Sequence, residues 1–286
     1  MTCCGVCFRR CPLEEGQIGD CGARICRGGK VEPLSYGAVS SMALDPVEKK
    51  PFSHFMPGSR VLSLGGFGCN LRCPFCQNST ISWSQEALEE LPRAAQITPE
   101  KLCGMALSLV DRGNIGAAFT YNEPLVAYEF VRDASVLLHQ AGLKSLMVTN
   151  GTASQEVLRE LEGLVDAMNI DLKGFTRHFY RHVLQGSLDM VQEFIAQAVT
   201  FCHVELTVLV IPGMNDSREE MAQAARWIAS LRDREGRIMG SEIPLHINRF
   251  FPRFRMSGAK PTDPAVLYDL ARIAGEHLEH VHVGNC

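Results

Sequence analysis

Cys69, Cys73 and Cys76 are spaced C-x3-C-x2-C in the run Gly68-Cys69-Asn70-Leu71-Arg72-Cys73-Pro74-Phe75-Cys76-Gln77-Asn78, just after an apolar stretch. Iron–sulfur clusters are held by cysteine thiolates, and a four-iron cube normally takes four of them. Three cysteines within eight residues hold three corners and leave one iron open to a small ligand. Zinc is the rival use of such spacing, but a structural zinc site is closed by four ligands, often two C-x2-C pairs. Only Cys73 and Cys76 have that spacing, and no further Cys or His follows closely. The spacing favours an open iron–sulfur site.

A second set opens the chain. Cys4, Cys7, Cys11 and Cys21 read C-x2-C-x3-C-x9-C, with Cys3 and Cys26 to spare. Four thiolates close a zinc tetrahedron and serve an auxiliary iron–sulfur cluster equally well. Gly16, Gly19 and Gly22 let the loop wrap tightly around either metal. Six cysteines within 26 residues argue against incidental thiols. Cys103, Cys202 and Cys286 have no such neighbours and read as core or terminal residues.

The elements that must position these groups follow from periodicity. The 286 residues suit one large domain with a small appendage, and 46% hydrophobic content supports a sizeable core. A net charge of -4 gives no basic footprint for nucleic acid and no polybasic membrane patch. Met1-Thr2-Cys3-Cys4 does not open a signal peptide, and no apolar run has the length of a membrane span. Twelve cysteines without a secretion signal lead us to expect a reducing cytoplasm and metal or redox use.

From Val61 onward, short apolar runs alternate with amphipathic stretches. Strands are expected at 61–65, 115–120, 145–149, 167–172, 204–211, 243–247 and 281–283. Helices are expected after Thr98-Pro99-Glu100, with proline at the first helical position, and at 125–140, 154–164, 189–201, 217–231 and 264–277. Continuous apolar strands alternating with helices predict an α/β fold, a parallel sheet covered by helices. In parallel barrels the chemistry sits at the C-terminal ends of the strands, where the triad falls. Asp171 and Lys173 close the fourth strand two residues apart, so period-two geometry puts both side chains on one face. The segment from Arg249 to Pro264, rich in proline and basic residues, reads as a surface loop.

The triad, its Gly-Cys-Asn lead and its Cys-Gln-Asn exit resemble the radical S-adenosylmethionine (SAM) enzymes. More narrowly, they resemble the pyruvate formate-lyase activating enzymes and the radical SAM component of the AmmeMemoRadiSam system. The similarity to the latter runs along nearly the whole chain. It takes in Asp45–Pro51, Thr120–Pro124, Val148–Gly151, Asn169–Gly174, Ile211–Asp216 and Val283–Asn285.

The resemblance implies a partial parallel (β/α)6 TIM-like barrel at residues 58–286, behind a Cys-rich, metal-binding N-terminal segment at 1–57. It implies a [4Fe-4S] cluster on Cys69, Cys73 and Cys76, with SAM on the open iron. Phe75 would lie against the adenine, unless it merely packs. Glu123 would meet the SAM amino group, although Tyr121-Asn122-Glu123-Pro124 stands where the family has Gly-Gly-Glu-Pro; a helix-capping acid is the plain alternative. Thr149 and Asn150 would lie beside SAM. Val148 occupies the place of an acid in relatives, which puts a cation site there in question. Asp171 and Lys173 would hold the SAM carboxylate and ribose region or a nearby cation, the alternative being an isolated ion pair. His246 would sit near the ribose, where a core histidine is the alternative, and Gly284 and Asn285 would line the adenine pocket.

The activity implied is reductive cleavage of SAM to a 5′-deoxyadenosyl radical that abstracts hydrogen. A flavodoxin- or ferredoxin-like donor would supply the electron, and a protein partner the hydrogen. Oxidation or rearrangement of a small molecule is the alternative reaction. A non-catalytic zinc-binding interaction module is the alternative of another class.

Overall fold

The computed structural model describes residues 1–286. Its centre is an eight-stranded sheet, with strands β1 (Ser41–Pro46), β2 (Arg60–Gly65), β3 (Asn114–Thr120), β4 (Lys144–Thr149), β5 (Ala167–Asp171), β6 (His203–Val210), β7 (Leu245–Arg249) and β8 (Val281–Gly284). The strands lie side by side in chain order. β2 to β8 run parallel, and β1 adds an antiparallel edge beside β2. β1 and β8 are the two edges and share no ladder, so the barrel is split.

Helices α1 (Pro99–Leu107), α2 (Tyr128–Gln140), α3 (Gln155–Leu161), α4 (Leu188–Ala198), α5 (Arg218–Ala229) and α6 (Pro264–Ala274) carry the crossovers. Their starts are chemically marked. Thr98 accepts from Lys101 N, Ser187 from Met190 N and Ser217 from Glu220 N, each satisfying a backbone donor that the first helical turn leaves free. The apolar face of α2 buries Phe130, Val131, Ala134 and Leu138 at helical spacing. No helix is long and apolar enough to cross a membrane.

Two details depart from the expected elements. Residues 124–127 form a 3-10 turn ahead of α2 rather than its first turn. The sixth parallel strand begins at Leu245 instead of 243, because pairing starts at the Pro244 carbonyl, which accepts from Leu206 N at 2.9 Å. Proline has no N–H with which to start a ladder earlier.

The N-terminal segment packs against the core. Arg24 reaches α2, where its guanidinium bonds both oxygens of Glu129 at 2.7 and 2.9 Å. Cys69 N donates to Cys21 O at 3.2 Å, and Arg9 Nε donates to Asn70 O at 2.7 Å. β1 lies within the first 57 residues yet belongs to the main sheet.

Candidate active site

A cavity of about 310 Å³ opens at the C-terminal ends of the strands. Cys69, Cys73 and Cys76 form one wall, carried on the loop after β2. Gly68 makes that loop possible. Its φ is +93°, and a Cβ there would stand 2.4 Å from Ala23 Cβ and 2.8 Å from Cys21 O. Asn122 pins the loop from the other side, accepting from Gly66 N at 2.9 Å and donating to Gly68 O at 3.2 Å.

All three triad thiols are free. Burial, with Glu123 next, pushes the Cys69 thiol well above its ordinary value. Burial pushes Cys73 up to about 12 and raises Cys76 as well. Such thiols ionise only when a cation compensates them, so a metal that enters must displace their protons. Trp83, at the same cavity, has a buried indole N–H without a hydrogen-bond partner. Three soft sulfur donors on one wall of a cavity fit a cluster with an open corner and lack the fourth ligand of a closed zinc site.

Beside the triad loop lies Glu123, 2% exposed, whose backbone N donates to Gly68 O at 3.2 Å. Its Oε1 accepts from Thr149 Oγ1 at 2.7 Å and Leu125 N at 3.0 Å, and its Oε2 from Asn150 N at 2.7 Å. Burial outweighs these bonds and pushes the carboxyl up to about 7. Asn150 donates to Asn70 Oδ1 at 2.9 Å, tying the end of β4 to the triad loop. Asp171 and Lys173 meet at 2.8 Å and also line the cavity. Burial pulls the Lys173 ammonium down, but Asp171 more than offsets it, so the ammonium is held well above the usual lysine range.

Phe75, Thr149 and Asn150 line this cavity together with Glu123, Asp171, Lys173 and the triad, and Asn285 reaches it as well. His246 does not. It is the second residue of β7, and its Nε2 turns to Glu205 Oε2, 2.6 Å away. The two-residue offset of β7 puts Asn248, on the same face of the strand, at the cavity instead.

Sequence reasoning also missed a buried trio. Lys50 Nζ stands 2.9 Å from Asp45 Oδ2 and 3.1 Å from the Tyr121 hydroxyl, which itself donates to Asp45 Oδ2 at 2.9 Å. Lys50 and Tyr121 line the cavity. The signal was the run Asp45-Pro46-Val47-Glu48-Lys49-Lys50-Pro51, to which no role was attached.

The sequence model of the radical SAM superfamily matches residues 64–227. An uncharacterised protein of Methanocaldococcus jannaschii is 39% identical over 99% of this chain and 80% of its own. A pyruvate formate-lyase-activating enzyme of Clostridium pasteurianum is 26% identical over 59% of this chain and 69% of its own. A 4-hydroxyphenylacetate decarboxylase activating enzyme of Clostridioides difficile is 25% identical, and the match spans 47% of this chain and 42% of that one. Among solved structures, Streptococcus suis SuiB bound to S-adenosylmethionine superposes with a TM-score of 0.57 at 10% identity, over 76% of this chain and 48% of that one, a likeness of fold alone. The family match spans more than half of the chain and includes the triad, Glu123 and the Asp171–Lys173 pair. This chain belongs to the radical SAM superfamily.

Proposed function

We propose that this chain cleaves SAM reductively and uses the resulting radical to abstract hydrogen from a protein partner, in the manner of an activating enzyme. The observation that carries the reading is the convergence of three free thiols with Glu123, Thr149, Asn150, Asp171 and Lys173 on one cavity. Cys69, Cys73 and Cys76 would hold a [4Fe-4S] cluster. Such a cluster supplies the electron that splits the sulfonium into methionine and a 5′-deoxyadenosyl radical.

The chain's own residues bind, orient and exclude water. Glu123 accepts from the SAM ammonium once ionised, and Thr149 with Asn150 N fixes its two oxygens. Asp171 and Lys173 present one charge of each sign, suited to the ribose hydroxyls and the carboxylate of SAM. Phe75, 4% exposed, offers an aromatic face to the adenine.

The protein partner is supported by the activating-enzyme names of two relatives. A flavodoxin- or ferredoxin-like protein in a reducing cytoplasm would supply the electron. In segment 1–57, Cys4, Cys7, Cys11 and Cys21 would hold a second metal, zinc or an auxiliary cluster. Cys4 N donates to Cys11 O at 2.9 Å, closing the loop that carries three of them.

Anaerobic incubation of the reconstituted protein with SAM and dithionite should yield 5′-deoxyadenosine. Adding a protein substrate, sought among the products of neighbouring genes, should raise that yield and leave a radical on the added protein. No deoxyadenosine from a cluster-loaded sample would overturn the reading. A yield raised only by small molecules would replace the protein substrate.

A further inference from the structure

Five of the nine histidines gather at the N-terminal ends of the barrel strands, away from the cavity. His203 opens β6, His246 is second in β7, His280 just precedes β8 and His282 is second in β8. His54 joins them from the loop between β1 and β2. The rings touch in series. The centroids of His54 and His280 are 4.4 Å apart, those of His54 and His282 5.2 Å, and those of His246 and His282 5.2 Å, the last pair stacked.

Glu205 organises this cluster from a position with 0% exposure. Its Oε1 accepts from His54 N at 2.9 Å and from His203 Nε2 at 3.0 Å. Its Oε2 accepts from Ser53 N at 2.9 Å and from His246 Nε2 at 2.6 Å. Burial raises its pKa, but these four donors prevail and hold the carboxyl well below the usual range. Both oxygens are already occupied, so Glu205 anchors the loop and orients His203 and His246 without a free oxygen for a ligand.

The anchored loop bridges the split in the barrel. β1 and β8 are the sheet's two edges and share no ladder, yet His54 Nε2 stands 3.0 Å from His282 Nε2 on β8. Two imidazole nitrogens at this distance can share a proton or a metal ion. With metal–nitrogen bonds of about 2.0–2.1 Å, a right-angled pair of ligands has its nitrogens about 2.9 Å apart, and a tetrahedral pair about 3.3 Å. The observed separation lies near the right-angled value, which suits square or octahedral ions. The pair would be the chelate, and the other positions would fall to water or to a rotated His280, whose ring centroid lies 4.4 Å from that of His54. His54 is exposed, and an ion reaches it directly from solvent.

We propose that His54 and His282 form an imidazole site for a divalent transition metal that favours square or octahedral geometry, clipping the loop at one sheet edge to the strand at the other. A metal bound only by the folded chain stabilises it by RT ln(1 + c/Kd) at free metal concentration c, so the stabilisation keeps growing with c. The site is independent of the radical chemistry proposed above, and its failure would leave that reading intact.

The test loads the cysteine sites first, by anaerobic reconstitution with iron and sulfide, and then titrates Ni²⁺. One Ni²⁺ per chain is expected at the clip, with nitrogen and oxygen but no sulfur in the nickel K-edge spectrum. Tm should rise with Ni²⁺ concentration. His54→Gln and His282→Gln should each weaken binding at least tenfold, and the double variant should lose the rise in Tm. Visible cluster absorption shows that the variants fold, and the wild-type Tm response and nickel spectrum need no variant. His178 and His182, their rings tilted and 4.7 Å apart on the surface, are the competing pair. Sulfur ligation, binding unchanged in the His54/His282 double variant, or binding abolished only by His178→Gln with His182→Gln would each overturn the proposal.

Discussion

The carboxylate of Glu123, on the loop after β3, is held 2.7 Å from the hydroxyl of Thr149 at the end of β4. That bond and the one from Asn150 N fix both carboxylate oxygens in the cavity wall beside the triad. They do so across a strand junction, so the group is oriented before any ligand arrives. Burial nonetheless pushes its pKa up to about 7.

Glu123 should therefore make SAM binding depend on pH. Below about 7 the carboxyl carries a proton that must leave before it can accept from an ammonium, so affinity should rise through neutrality and level off above it. Glu123→Gln should flatten this dependence and weaken SAM binding by about 1.5–3 kcal/mol, the worth of a hydrogen bond to a charged group. SAM titrations of the reconstituted, unreduced enzyme from pH 6 to 8 decide the point. Equal affinity at both ends would remove Glu123 from the SAM site.

The same group predicts the pH dependence of stability in the ligand-free protein. A carboxyl whose folded pKa is raised contributes stability that is complete below its unfolded pKa of 4.5, and that is lost as pH rises through about 7. The loss is on the order of 3 kcal/mol, at about 1.4 kcal/mol per unit. Urea midpoints at pH 5 and 8 should converge in Glu123→Gln and diverge in the parent.

Replacing Cys69, Cys73 or Cys76 with Ala should remove most of the triad iron and all reductive SAM cleavage. Each supplies one of only three thiolates on that wall. Iron analysis after reconstitution, alongside deoxyadenosine yield, measures both. A triple variant that still formed deoxyadenosine would sink the proposed function.

Changing Cys4, Cys7, Cys11 and Cys21 together to Ser should remove one metal while the triad still assembles its cluster. Elemental analysis then identifies the lost metal as zinc or iron. If SAM cleavage stopped while the triad cluster stayed intact, the set would be an electron-transfer centre and not a clamp. Its packing favours communication, since Cys21 O accepts from Cys69 N at 3.2 Å.

Lys50→Met should destabilise the fold by about 1.5–3 kcal/mol, because it removes one charged partner of Asp45 while Lys49 and Tyr121 remain. Lys50 is 5% exposed and Asp45 11%. Burial works to raise the Asp45 pKa, but Lys50, Tyr121 and Lys49 outweigh it and hold the carboxyl below the usual range. Its contribution is therefore present above the ordinary carboxylate pKa near 4 and lost as pH falls toward the depressed folded value. Adding Asp45→Leu to Lys50→Met should recover much of the loss. Failure of that double change to recover stability in denaturant unfolding would show that the pair is not the reason.

The triad, the alternation of strands with helices and the start of α1 were legible from sequence because each is local. Cysteine spacing is chemistry within eight residues, and a threonine or serine cap acts within one turn. Asp171 and Lys173 could be placed on one face because a strand alternates with period two. Period two does not say how deep in a barrel a residue lies. The expectation for His246 came from the resemblance; in the structure Glu205 holds its ring, and Asn248, two residues on along the same face, lines the cavity. The Lys50–Asp45–Tyr121 trio joins residues 71 and 76 positions apart, and His54 meets His282 across 228. The sequence by itself determined which local chemistry was on offer and at which strand ends. Tertiary structure decided which distant charges and rings share a cavity or a seam, because those contacts depend on strand register and on the closing of the sheet, not on spacing along the chain.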